Sequence, residues 1–204
     1  MSLFFNAGQC CIAGSRTYVH SSIYDRFVEA TAKQVKAIRV GHSLDANTDQ
    51  GPLVSKEQMN KVLGYIESGK KSAKLVTDTG RWGDKGWYVT PTVFADVKDD
   101  SLIAQDEIFG PVQSILKYED TDEVVERANK SSYGLGAGVM TENLSEANYF
   151  AKKLKVGTVY VNCYNKFSST TPFGGFKDSG IGRELGEEGL NNYLETKTVI
   201  TNND

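Results

Sequence analysis

The chain holds 204 residues, enough for one substantial core or two small ones, and its 39% hydrophobic and 24% charged content is ordinary for a globular protein. A formal net charge of -3 shows no basic excess, which argues against nucleic acid or an anionic membrane as partner, and no apolar run approaches the roughly 18–20 residues of a membrane-spanning helix. Three cysteines, two of them adjacent, do not make a disulfide framework and point to a reducing, intracellular compartment.

The chain opens on Phe4-Phe5-Asn6-Ala7-Gly8-Gln9-Cys10-Cys11-Ile12-Ala13, where the cysteine pair follows a glycine and precedes small residues that suit the opening of a helix. Residues 16–20 have the β-branched and aromatic character of a short strand. Tyr24, Phe27, Val28, Thr31, Val35 and Ile38 recur at three- and four-residue spacing and predict a helix. After a polar, turn-rich loop over 41–51, Ser55-Lys56-Glu57-Gln58 fits a capping box, and the helix it opens carries Met59, Val62, Leu63 and Ile66 to an end near Gly69. Further strands are expected at 74–77, 112–118, 136–140, 157–162 and 197–201, with an extended segment over 88–97 that Pro91 keeps partly out of a sheet. Further helices are expected at 101–108, at 121–129, through Ala147, Phe150, Ala151 and Leu154, and at 184–194.

Strands alternating with helices imply βαβ units, hence an α/β fold with a mainly parallel sheet and helices on both faces. In such sheets ligands sit beyond the carboxyl ends of the strands, where two glycine-rich loops fall: Phe109-Gly110-Pro111 and Pro172-Phe173-Gly174-Gly175-Phe176. A break is expected near Gly182, dividing 1–182 from a terminal helix and strand over 183–204.

A thiol at a helix N-terminus meets the positive end of the macrodipole and unpaired N–H groups, and the thiolate this favours is the form that attacks carbonyls. A protease-type cysteine needs an imidazole partner, yet the two histidines, His20 and His42, lie at a strand end and in a polar loop. Cys10-Cys11 lacks the Cys-x-x-Cys spacing of a zinc site and Cys163 stands alone, so no metal site is expected. No Gly-Lys-Ser/Thr follows a glycine loop, and Gly134-Leu135-Gly136-Ala137-Gly138 only approaches the dinucleotide fingerprint; its glycines suit close packing of a small-residue strand.

Five segments carry a resemblance. Phe4-x-x-x-Gly8-Gln9-x-Cys11 matches the active-site cysteine signature of the NAD(P)-dependent aldehyde dehydrogenases. In the same order follow Glu107-Ile108-Phe109-Gly110-Pro111, Gly157-Thr158-Val159-Tyr160-Val161-Asn162, Pro172-Phe173-Gly174-Gly175-Phe176-Lys177-x-Ser179-Gly180 and Gly182-Arg183-Glu184-Leu185-Gly186. The chain most resembles the broad-specificity class that includes the acetaldehyde and retinal enzymes. The resemblance implies that Cys11 is the nucleophile, forming a thiohemiacetal and then a thioester, with its own N–H binding the oxyanion. It implies that Glu107, Phe109 and Gln58 contact NAD or NADP, although Gln58 also suits a simple capping role. Cys10, Ile12, Phe167 and Phe173 are expected around the aldehyde, and Asn162 in support of the site. Lys177 and Arg183 are expected to be structural. Residues 193–201 resemble the family segment that adds a strand to a neighbouring subunit, so the parent is expected to be a homo-oligomer, a dimer or tetramer.

In this family the dinucleotide-binding domain, the carboxylate that activates the cysteine and the asparagine that completes the oxyanion hole precede the cysteine loop. The abrupt opening therefore suggests a catalytic-domain piece (1–182, with 183–204 for oligomerisation) that by itself binds NAD weakly or not at all and is inactive. The parent is expected in the cytoplasm or the mitochondrial matrix, acting on small-molecule aldehydes. The alternative is a non-catalytic structural protein on the same fold, as in the lens crystallins that resemble this family. A cysteine hydrolase using His20 or His42 is a third reading.

Overall fold

A computed structural model describes residues 2–204. The chain forms two compact units, meeting in sequence at Ser131 and Ser132. The break expected at 182/183 lies inside the second of them.

The first unit is built on a four-stranded sheet of β1 (Arg16–His20), β2 (Lys74–Leu75), β3 (Thr92–Ala95) and β4 (Val112–Tyr118), in the order β1-β4-β3-β2. Both β1 and β3 run parallel to the central β4, Arg16 opposite Ser114 and Thr92 opposite Val112, while β2 closes one edge antiparallel to β3. Every residue of β3 and the first five of β4 are buried, the mark of strands covered on both sides.

Alternation along these strands divides the core into two layers. Phe94, Val112 and Leu116 pack with Met59, Val62 and Ile66 of α2 (Lys56–Ser72) and with Ile103 and Ala104 of α3 (Leu102–Gln105). Val93, Ile115 and Val19 of β1 pack with Tyr24 and Val35 of α1 (Tyr24–Lys36). The sheet thus carries helices on both faces, as its sequence pattern predicts. Gly69 lets α2 approach the sheet, since a Cβ there would lie 2.7 Å from the Phe94 ring. Helix α4 (Thr121–Asn129) ends the unit, capped by Asp120, which accepts from the N–H groups of Asp122 and Glu123.

The second unit is a βαβ unit. β5 (Gly136–Val139) and β6 (Thr158–Val161) pair in parallel, joined by α5 (Leu144–Lys153), which Asn143 caps. The glycines in β5 and before β6 serve close packing: a Cβ on Gly138 would meet the Tyr164 ring at 2.6 Å, and one on Gly157 the Gly174 carbonyl at 1.6 Å.

Several expectations are corrected. The strand expected at 74–77 shortens to β2, while the extended segment over 88–97 enters the sheet only after Pro91, as β3, with an isolated bridge between Val89 and Arg81 before it. The helix expected over 101–108 is the single turn α3. The helix expected over 184–194 is a 3-10 turn, Glu188–Asn192, because Leu185 and Gly186 take left-handed backbone (φ 61° and 59°) and break the register before it. Residues 197–201 carry no regular structure: their β-branched residues have no strand to pair with in the chain. Among the described residues no helix is long and apolar enough to cross a membrane.

Candidate active site

The small residues after the cysteines do not open a helix. Ala13, Gly14 and Ser15 lead into β1 through a tight turn, the Ser15 N–H donating to the Ala13 carbonyl at 2.8 Å, and Cys11 and Ile12 form the corner of a reverse turn closed by the Ala13 N–H donating to the Cys10 carbonyl at 2.9 Å. The helix-dipole argument for the thiolate therefore falls, and the turn leaves Cys11 exposed. Partial burial holds its thiol above the ordinary cysteine value, and Cys10 beside it raises it further. The backbone N–H groups of Cys11 and Ile12 act in the opposite sense, the role a helix terminus would have played.

The segment before the turn is strained and tightly seated. Asn6 and Ala7 hold left-handed φ of 49° and 55°, followed by Gly8 at 73°. Such backbone in non-glycine residues costs roughly 1–3 kcal/mol each and persists only where surrounding structure fixes it. Phe4 packs on the α1 layer and Ala7 is buried in the α2 layer. Gly8 lies against Gly110, whose carbonyl oxygen a Cβ on Gly8 would meet at 2.1 Å; a Cβ on Gly110 would in turn lie 2.5 Å from Val62 of α2. The cysteine loop and the Glu107–Pro111 loop, about 100 residues apart in the chain, are thus stacked backbone to backbone.

Three residues predicted to contact a dinucleotide meet here. Glu107 is exposed and its carboxylate has no cation partner among the described residues; its carbonyl accepts from Lys61 Nζ at 3.1 Å. Phe109 is half-buried with φ 56°, a further strained position. Gln58 does not complete the capping box. Ser55 Oγ accepts the Gln58 N–H at 3.1 Å, but the Gln58 side chain reaches instead to the 107–111 loop, its Nε2 donating to the carbonyls of Ile108 (3.1 Å) and Phe109 (2.8 Å). Both amide protons are committed, which leaves Oε1 as an acceptor. An exposed carboxylate and an amide oxygen suit a donating ribose diol, and the Phe109 ring suits a flat heterocycle, so these residues fit a nicotinamide dinucleotide.

The remaining site residues divide between the units. Cys10 is half-buried and Ile12 only 2% exposed, so Ile12 belongs to the interior of the first unit. In the second unit, Phe167 and Phe173 stand edge to face with centroids 5.7 Å apart and line a cavity of about 170 Å3 with Thr158, Tyr160, Lys166 and Thr171. Asn162, with φ 52° at the end of β6, closes a two-point clasp on Thr141: its Oδ1 accepts the Thr141 N–H at 2.9 Å and its Nδ2 donates to the Thr141 carbonyl at 2.8 Å. Arg183 donates to the carbonyls of Gly175 and Gly182 and stacks on Phe176.

Neither histidine serves the thiol. His20 spends both ring nitrogens on Ser22 Oγ and the Glu119 carbonyl, His42 accepts from the Leu44 N–H, and no imidazole is among the groups that shift Cys11. No cluster of three or more metal-ligating side chains exists among the described residues.

Sequence reasoning missed the seating of Gly8 on Gly110 and the part of Gln9, whose side chain leaves its own loop. The only signal was the Gly8-Gln9 pair itself. The site is that of an α/β protein with an exposed free cysteine on a turn beside an acidic, aromatic loop. Comparison with known proteins gives that class its family. The chain matches the model of the aldehyde dehydrogenase family over residues 1–199. It is 56% identical over 201 residues to a mitochondrial benzaldehyde dehydrogenase of Antirrhinum majus, covering 98% of this chain and 38% of that protein. It is 54% identical over 199 residues to the human mitochondrial aldehyde dehydrogenase, covering 97% and 38%. The NAD+ complex of an aldehyde dehydrogenase from Bacillus cereus superposes with a TM-score of 0.96 at 48% identity, over 100% of this chain and 42% of that one. The chain belongs to the aldehyde dehydrogenase family. It spans about two fifths of the length of these relatives.

Proposed function

We propose that these residues form the nucleophile-bearing part of an enzyme that oxidises aldehydes to carboxylic acids with NAD or NADP. The observation that carries the reading is the stacking of Gly8 on Gly110, which joins the loop bearing Cys11 to the loop bearing Glu107 and Phe109. The Cys11 thiolate attacks the aldehyde carbon, and the Cys11 N–H donates to the oxygen as it becomes an oxyanion. The resulting thiohemiacetal gives up hydride, and water then releases the acid from the Cys11 thioester. When bound, the nicotinamide supplies the hydride acceptor. Glu107 and Gln58 Oε1 would hold the ribose hydroxyls, and Phe109 would pack at the ring.

Within the second unit, the cavity lined by Phe167 and Phe173 suits an apolar group, and within the first Cys10 and Ile12 border the nucleophile. Asn162 fixes the end of β6, the strand that brings Thr158 and Tyr160 to that cavity. The similarity to a benzaldehyde dehydrogenase makes benzaldehyde a suitable first substrate, and relatives named as mitochondrial make the matrix a compartment to test alongside the cytoplasm. Residues 193–201, exposed along Tyr193, Leu194, Val199 and Ile200, would pair with a second copy in a homo-oligomer.

The test joins these 204 residues to the amino-terminal three fifths or so of a relative and follows NADH formation from NAD and benzaldehyde. Turnover that Cys11→Ala removes is expected; turnover that survives Cys11→Ala overturns the reading. The 204 residues by themselves are expected to hold NAD weakly or not at all and to show no significant turnover.

A further inference from the structure

We propose that Gln9 is a positioning residue for the Cys11 nucleophile, clipping the cysteine turn to the start of α2 and, through Gln58, to the Glu107–Pro111 loop. The inference rests on the nucleophile reading given above.

Cys11 sits on a four-residue turn with no helix to hold it, and the chain enters that turn through three successive left-handed residues. Strained backbone of this kind relaxes unless something outside it prevents relaxation. Among the described residues, Gln9 is the member of the 4–11 stretch whose side chain hydrogen-bonds beyond its own loop. Its Oε1 accepts the Val54 N–H at 3.0 Å, and its Nε2 donates to the Asn6 carbonyl at 3.3 Å, the same carbonyl that accepts the Gln9 backbone N–H at 3.0 Å. One amide therefore closes the strained loop on itself and fastens it to the residue before the Ser55 cap of α2.

The first turn of α2 carries the second fastening. Gln58 donates both Nε2 protons to the carbonyls of Ile108 and Phe109, and Gly110, the next residue, returns to Gly8. The path from Gln9 through Val54, Ser55, Gln58, Phe109 and Gly110 to Gly8 is a closed ring. Cys11 lies two residues outside it on one side and Glu107 one residue before Ile108 on the other. With the ring intact, the nucleophile and the acidic loop keep one spacing, and orientation of that kind governs turnover more strongly than it governs simple thiol reactivity.

The test uses two readouts with opposite expected signs. In the 204-residue chain, the pH profile of iodoacetamide alkylation at Cys11 is read by peptide mass spectrometry; in the joined enzyme, kcat and KM are measured. Gln9→Leu is expected to lower the midpoint of the alkylation profile toward that of a free cysteine, as the freed turn loses its partial burial, and to speed alkylation at neutral pH. The same change is expected to lower kcat about tenfold while KM for aldehyde stays within about twofold. Gln9→Glu keeps an acceptor for the Val54 N–H and is expected to recover part of kcat; it also serves if Gln9→Leu does not fold. An alkylation profile and a kcat both unchanged in a folded Gln9→Leu chain overturn the proposal. Absence of any Cys11-dependent turnover in the parent joined enzyme overturns the functional reading instead, and the alkylation profile still tests the clip.

Discussion

At the scale of single residues, the two members of the cysteine pair are not equivalent. Cys10 raises the Cys11 thiol by its charge and by its hydrogen bond, in addition to burial. Cys10→Ala removes both effects, so the midpoint of Cys11 alkylation should fall and alkylation at neutral pH should quicken; a rise in the midpoint would contradict the assignment. Gly8 is the least replaceable residue nearby. An added Cβ meets the Gly110 carbonyl at 2.1 Å on a backbone of positive φ, and neither partner is a flexible side-chain tip. Gly8→Ala is expected to cost about 3 kcal/mol or more, read from denaturant melts. Two tyrosines give a pH signature. Burial pushes the hydroxyls of Tyr18 and Tyr24 up to about 12, above the value of about 10 in an unfolded chain. The native state then holds protons that the unfolded state releases, so this stability is complete below about pH 10 and is lost as pH rises through 12. A melting temperature that held steady across that window would rule the effect out.

At the scale of elements, α2 is the part that serves both core and site. Its buried face of Met59, Val62 and Ile66 packs on the sheet, while its first turn receives Gln9 by way of Val54 and supplies Gln58. Ile66→Ala should cost about 2–5 kcal/mol by cavity formation, whereas Ser55→Ala should cost about 1 kcal/mol through the lost cap. The two differ in what they do to the site: only the Ser55 change loosens the turn that bears Gln58, and only it should alter Cys11 alkylation at equal residual stability. The sequence was most legible where one local signal decided the outcome. β1, β4 and α4 fall on their expected residues because hydrophobic runs and an Asp120 cap leave no competitor. It was least legible where tertiary contact decides. Nothing in Ala13-Gly14-Ser15 announces that these residues will turn into β1 instead of opening a helix, and nothing in Ser55-Lys56-Glu57-Gln58 distinguishes a glutamine that caps its helix from one that reaches a loop some 50 residues away. The family motifs located Cys11, Glu107 and Phe109, but their mutual seating depends on two glycines 102 positions apart that no local pattern connects.

At the scale of the molecule, the two units differ in how much they bury. The first holds both layers of the core, while buried apolar residues of the second are few, among them Val139, Ala147 and Tyr160. Hydrogen exchange should accordingly be slowest in β3 and β4 and fast from residue 193 onward, where every residue is exposed. Protection at 193–201 equal to that of β4 would instead show these residues already paired. The seat of Gly8 on Gly110 also has a consequence in time. During synthesis the cysteine turn leaves the ribosome long before residue 110 exists to receive it, and β1 waits equally for β4. Until the Phe109-Gly110-Pro111 loop arrives, Cys11 is an ordinary cysteine on an unfinished chain. A ribosome stalled before that loop would therefore expose a thiol with no more selectivity than glutathione.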